Sequence, residues 1–80
     1  MTIGDAVVKR IFQLCDSRNI TINHLSLISG ITQSTLSNIV NGTRKNPTIS
    51  TIQKICDGLD ISIQEFFNSP LFQDLEQELR

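Results

Sequence analysis

The 80-residue chain predicts an all-α fold: five short helices over residues 1–68, then a short helical extension over 69–80. Three observations lead there. Apolar residues recur at helical spacing along every segment. Hydroxyl residues stand just ahead of four of those segments, at Thr21, Thr32, Thr48 and Ser62, where a new helix needs acceptors for its free N–H groups. Gly30 falls where one pattern stops, and glycine closes a helix in the left-handed conformation without a Cβ penalty.

Helix one is predicted over 4–18. Val7, Ile11 and Leu14 form its inward stripe, Val8 and Cys15 widen it, and Lys9, Arg10, Gln13, Asp16 and Arg18 are left for solvent. After the link Asn19-Ile20, Thr21 caps helix two over 22–29, with Leu25 as its buried anchor and His24 exposed. Thr32 caps helix three over 33–40, where Leu36 and Ile39 point inward. Asn41-Gly42 closes it, and a polar loop, Thr43-Arg44-Lys45-Asn46, runs to Pro47. Thr48 caps helix four over 49–58, with Ile49, Ile52, Ile55, Cys56 and Leu59 inward and Gly58 near its end. Ser62-Ile63-Gln64-Glu65 has the form of a capping box opening helix five, whose Ile63, Phe66 and Phe67 close the core. Beyond Asn68-Ser69-Pro70, Leu71, Leu75 and Leu79 recur at i, i+4 and i+8 over 71–79, with Phe72 beside them. A helix so short is marginal alone, so that stripe packs either on its own domain or on the same segment of a second chain.

The outward side of helix three carries Gln33, Ser34, Thr35, Ser37 and Asn38. A solvated helix face is commonly rich in Glu and Lys, whereas Ser, Thr and Asn compete for backbone hydrogen bonds and are poor in helix interiors. Amides can bond adenine bidentately, and hydroxyls can bond either class of base edge, so this face suits a nucleic-acid groove; a plain polar surface is the alternative.

The stretch 21–41 resembles the helix-turn-helix of the Cro/phage-repressor (XRE) family of bacterial and phage DNA-binding regulators. Leu25, Ser26, Gly30, Ile31, Leu36 and Ile39 carry the likeness. Ile11-x-x-Leu14, Asn41-Gly42, Pro47, Leu59-x-Ile61 and Phe66-Phe67 extend it over about residues 5–68. The resemblance implies a compact repressor-like DNA-binding domain over 1–68, with helix three as the recognition helix in the major groove. Gln33, Ser34, Ser37 and Asn38 then become the base-contacting residues. Thr35 and Asn23 become backbone contacts, together with Thr43, Arg44, Lys45 and Asn46 of the loop, which in this family lies along the DNA backbone. Ser26 stands where the family keeps a small residue at a helix crossing. Three positions depart from the pattern. Relatives often have glutamine at Ile22, a larger apolar residue at Ser29 and arginine at Cys15, so no arginine role is carried over to Cys15.

Composition bounds the function. Eighty residues make one small domain, which buries only about 60% of its unfolded surface and is often helped by self-association. No apolar run approaches the ~20 residues of a membrane span, and no basic region precedes an apolar block at the start. The expectation is a cytoplasmic protein with no membrane partner. The net charge of −1 is unevenly spread: residues 1–54 hold six basic against two acidic side chains, +4, and residues 55–80 one against six, −5. So mild a basic patch suggests DNA binding by two copies, a homodimer for which 69–80 is a candidate segment. Cys15 and Cys56 are read as reduced core thiols, with a redox pair as the alternative. One histidine, no CxxC, no P-loop, no nucleophile elbow and no clustered carboxylates in the globule give no sign of an enzyme, a metal or a cofactor.

The function expected is sequence-specific binding of double-stranded DNA as a transcriptional regulator, with repression as the simplest mode. The alternative is a protein-interaction module on the same fold, such as an antitoxin or antirepressor that binds a protein partner through its acidic end.

Overall fold

The computed structural model describes residues 1–43 and 46–79. It contains α1 (Ile3–Arg18), α2 (Ile22–Ser29), α3 (Gln33–Val40), α4 (Ile49–Leu59), α5 (Ile63–Phe67) and a single 3-10 turn, Pro70–Phe72. There is no strand among the described residues, and no helix is long and apolar enough to cross a membrane.

Each helix starts on a hydroxyl. Thr21, Thr32, Thr48 and Ser62 accept from the third N–H of their helices, as their spacing predicts. A fifth cap begins α1, where Thr2 accepts from Asp5 N–H over 3.1 Å and Asp5 takes the Thr2 N–H over 3.3 Å, a reciprocal box. The stops are equally local. Gly30 is left-handed at φ 68°, while Asn19 and Asp60 take the same region at 55° and 57°. Asn and Asp tolerate it because a short polar side chain can satisfy the nearby backbone.

The core is one cluster centred on Ile11, Leu25, Leu36, Ile55, Cys56, Leu59 and Phe66. Side chains from all five helices therefore meet in one interior, which is how so short a chain encloses apolar volume. The most extensive helix pair is α2 with α4. It closes on small residues: a Cβ added to Gly58 would stand 2.8 Å from the Ile28 carbonyl oxygen and 2.9 Å from Ser29 Cα. Ser29 is buried there with its hydroxyl donated to the Leu25 carbonyl. The departure from a larger residue at position 29 thus has a physical cause, since α4 passes directly over it.

Four expectations are corrected. Gly58 does not stop α4: the helix runs on to Leu59 and closes at Asp60, and Gly58 serves helix contact instead. Ile49 is 82% exposed rather than inward, because α4 turns its stripe onto the core only from Ile52. Arg10 is not left for solvent. Its Nε donates to the Phe66 carbonyl and its NH2 group to the Glu65 carbonyl, both over 2.7 Å, and NH1 reaches Gln13 Oε1 at 3.1 Å. The guanidinium thereby supplies a donor to the Phe66 carbonyl near the end of α5 and a second donor to the Glu65 carbonyl, which also accepts the Asn68 N–H.

The fourth correction concerns the extension. A helix over 71–79 does not form; the structure makes one 3-10 turn, after which Gln73 is extended and Asp74 is left-handed at φ 54°. Tertiary packing decides this. Phe72 sets its ring 4.8 Å from that of Phe67 and 6.3 Å from that of Phe66, so the segment is held by the domain's own aromatic cluster. Leu75 is half-buried and Leu79 fully out.

Candidate nucleic-acid interface

α2 and α3 are joined by a three-residue turn built from the residues expected. The Gly30 and Ile31 N–H groups both donate to the Ser26 carbonyl, and Ile31 buries its side chain. Ser26 is itself buried and donates its hydroxyl to the Asn23 carbonyl over 2.7 Å. The turn is therefore fixed from both sides, by backbone bonds and by an apolar anchor, and α3 is fixed relative to α2.

On α3 the apolar residues Leu36 and Ile39 are buried, at 0% and 3% exposure. That leaves Gln33, Ser34, Thr35 and Ser37 exposed and Asn38 half-buried. Gln33 with Ser37, and Ser34 with Asn38, are i,i+4 neighbours on the helix surface. The four expected base-reading residues thus lie together on one outward face. All of their functional groups are amides and hydroxyls, so the face can donate and accept but carries no charge.

Thr35 is placed differently. Its hydroxyl oxygen accepts from Thr32 Oγ1 over 2.8 Å, and Ser34 Oγ lies 3.5 Å from the same Thr32 oxygen. A hydroxyl that accepts in this way keeps its own proton to donate, which suits an anion at the start of the helix. Asn23 is exposed on the first turn of α2. Thr43 and Asn46 are exposed on the loop, and Asn41 Oδ1 accepts the Thr43 N–H over 3.0 Å to tie the loop to the end of α3. Arg44 and Lys45 lie outside the described residues.

Arg10 keeps its charge, but its guanidinium is committed to α5 carbonyls. A second hydroxyl cluster stands at the next helix start. At the start of α4, Thr48 Oγ1 lies 3.1 Å from Ser50 Oγ and 2.9 Å from Thr51 Oγ1, and Thr48 and Ser50 are exposed. This is the same hydroxyl arrangement as at the start of α3, and its sequence signal is a repeat: Thr32-Gln33-Ser34-Thr35 is echoed by Thr48-Ile49-Ser50-Thr51.

The two cysteines take no part in this face. Both are buried and free, and burial, helped by Asp16 for Cys15 and by Asp57 for Cys56, pushes each thiol above its ordinary pKa. They remain protonated at neutral pH, as core thiols do. Among the described residues, no group of three or more His, Cys, Asp or Glu is placed to hold a metal ion.

The chain is similar in sequence to known proteins. The sequence model of the Cro/C1-type HTH DNA-binding domain family matches residues 10–70. Two Bacillus subtilis (strain 168) proteins are similar. An uncharacterized HTH-type transcriptional regulator, RghRB, is 39% identical over 49 residues, covering 61% of this chain and 35% of the relative. The HTH-type transcriptional regulator SlrR is 31% identical over 64 residues, covering 79% of this chain and 42% of the relative. The chain thus spans well under half the length of the curated relatives it matches. No solved structure matches it significantly.

Proposed function

The chain belongs to the Cro/C1-type helix-turn-helix DNA-binding domain family, and from that premise we propose that it recognises a specific double-stranded DNA site as a transcriptional regulator. In this reading α3 enters the major groove. Gln33, Ser34, Ser37 and Asn38 meet base edges, and Asn23, Thr35, Thr43, Arg44, Lys45 and Asn46 hold phosphates on the flanks. The observation that supports it most is the outward face of α3, uncharged yet dense in hydrogen-bonding groups, standing over the buried pair Leu36 and Ile39. Phosphate contacts position a protein, whereas amides and hydroxyls of this kind discriminate bases.

The protein acts as a homodimer in the cytoplasm, two copies placing their α3 helices on half-sites ~34 Å apart, one helical turn of DNA. It represses by occupying the site. No enzyme activity and no cofactor enter the model. Enrichment of random duplexes on the purified protein tests it: a two-fold symmetric consensus is the expected outcome, and a pool that stays random at low salt defeats it.

A protein-interaction role, as an antitoxin or antirepressor, is the second reading. The exposed Leu27 and Ile49, at 78% and 82%, favour it as apolar groups open to a partner. A partner chain that co-purifies and competes with duplex would distinguish the two.

A further inference from the structure

The acidic end of the chain is not remote from the candidate interface. Leu71 and Asp74 line a shallow cleft with Gln13 and Met1. The Glu76 N–H donates to the Met1 carbonyl over 3.1 Å, and the Glu76 carboxylate stands 3.4 Å from the Met1 amine. Met1 in turn lines a second cleft with Lys9, Val40, Asn41 and Gly42, the last three being the end of α3 and the turn that leads into the loop 43–46. The segment therefore runs along α1 and is tied down beside the end of α3, and Glu78 continues exposed from there.

We propose that the segment 74–78 is an electrostatic brake on DNA binding: the tie at Glu76, whose own carboxylate is paired with the Met1 amine, keeps the carboxylates of Asp74 and Glu78 near the edge of the surface that faces phosphates. This rests on the DNA-binding reading above. Extended chain advances ~3.3 Å per residue, so Glu78 stays within about one Debye length (~10 Å at 0.1 M salt) of the tie at Glu76. Carboxylates so placed repel an approaching duplex whatever its sequence. Non-specific binding consists almost wholly of phosphate attraction, so the brake weakens it, most at low salt, and leaves occupancy to depend more on base contacts. Its placement separates this effect from net charge. Asp57 and Asp60 lie in and just past the last turn of α4, and a helix of that length sets them ~15 Å from the end that follows the loop.

The test uses the 80-residue chain and a mixed-sequence duplex, with affinity read by fluorescence anisotropy at salt from ~50 to ~300 mM and folding checked by circular dichroism. The E76Q/E78Q variant is expected to bind about threefold to tenfold tighter at ~50 mM salt, the gain shrinking as salt rises. The D57N/D60N variant carries the same charge change and is expected to gain less than twofold; Asn keeps the left-handed residue at position 60 comfortable. An unchanged E76Q/E78Q affinity, or an equal gain in D57N/D60N, overturns the brake while the DNA reading stands. Absence of duplex binding in every protein tested overturns both.

Discussion

The backbone of Gly58 on α4 lies so close to Ser29 on α2 that a single added methyl would sit 2.9 Å from Ser29 Cα and 2.8 Å from the neighbouring carbonyl oxygen of Ile28. Both obstacles are main chain, so neither can swing aside. In an exposed helix Gly→Ala gains about 1 kcal/mol. Here Gly58→Ala is expected to lose about 1–3 kcal/mol net, since overpacking forces the helices apart. Urea unfolding measures it, and a stabilised G58A protein would mean that α2 and α4 do not cross as described.

Arg10 separates a structural cation from a DNA-facing one. Its two 2.7 Å bonds to the Glu65 and Phe66 carbonyls need the planar fork of a guanidinium. Arg10→Lys keeps the charge but not the fork, and is expected to destabilise the domain by about 1–2 kcal/mol, using the range for bonds to charged groups and discounting for partial exposure. The salt dependence of duplex binding should be unchanged. A flatter salt slope with normal stability would place Arg10 on phosphate instead.

Gln33→Ala and Arg44→Ala should fail in different ways. Loss of a bidentate amide contact removes about 1–3 kcal/mol of discrimination at one base position and leaves non-specific binding intact. Loss of a phosphate contact weakens all sequences alike and lowers the slope of log affinity against log salt by about one. Titrating consensus and scrambled duplexes across salt reads both quantities; matching profiles for the two variants would contradict the division between helix and loop.

The thiols predict the alkaline limb of stability. Burial raises the pKa of each above its ordinary value, so the folded state holds its proton more tightly than the unfolded one. That contribution is complete below the unfolded pKa and is lost as pH rises through the folded one. Stability should therefore be flat around neutrality and decline above about pH 9, with thiol reagents at pH 7–8 labelling only as fast as the domain opens. A C15A/C56A protein, though less stable, should show a shallower alkaline decline.

The sequence by itself determined the helices, their starting caps at Thr21, Thr32, Thr48 and Ser62, the left-handed stop at Gly30 and the outward face of α3. These depend on near neighbours: a hydroxyl three residues before an N–H, an apolar side chain every third or fourth position. Only the tertiary structure decided the rest. Gly58 resembled a helix stop and is a helix contact, Arg10 resembled a solvated cation and is bonded to carbonyls 55 and 56 residues away, and Ile49 followed its stripe yet stands outside the core. The leucine pattern over 71–79 satisfied helical spacing, but Phe72 gained more by joining Phe66 and Phe67 than a helix too short to stand alone could offer. For Gly58 and Arg10 the deciding partner is distant in sequence, and for Phe72 it lies across a turn; local periodicity carries no information about which surfaces meet.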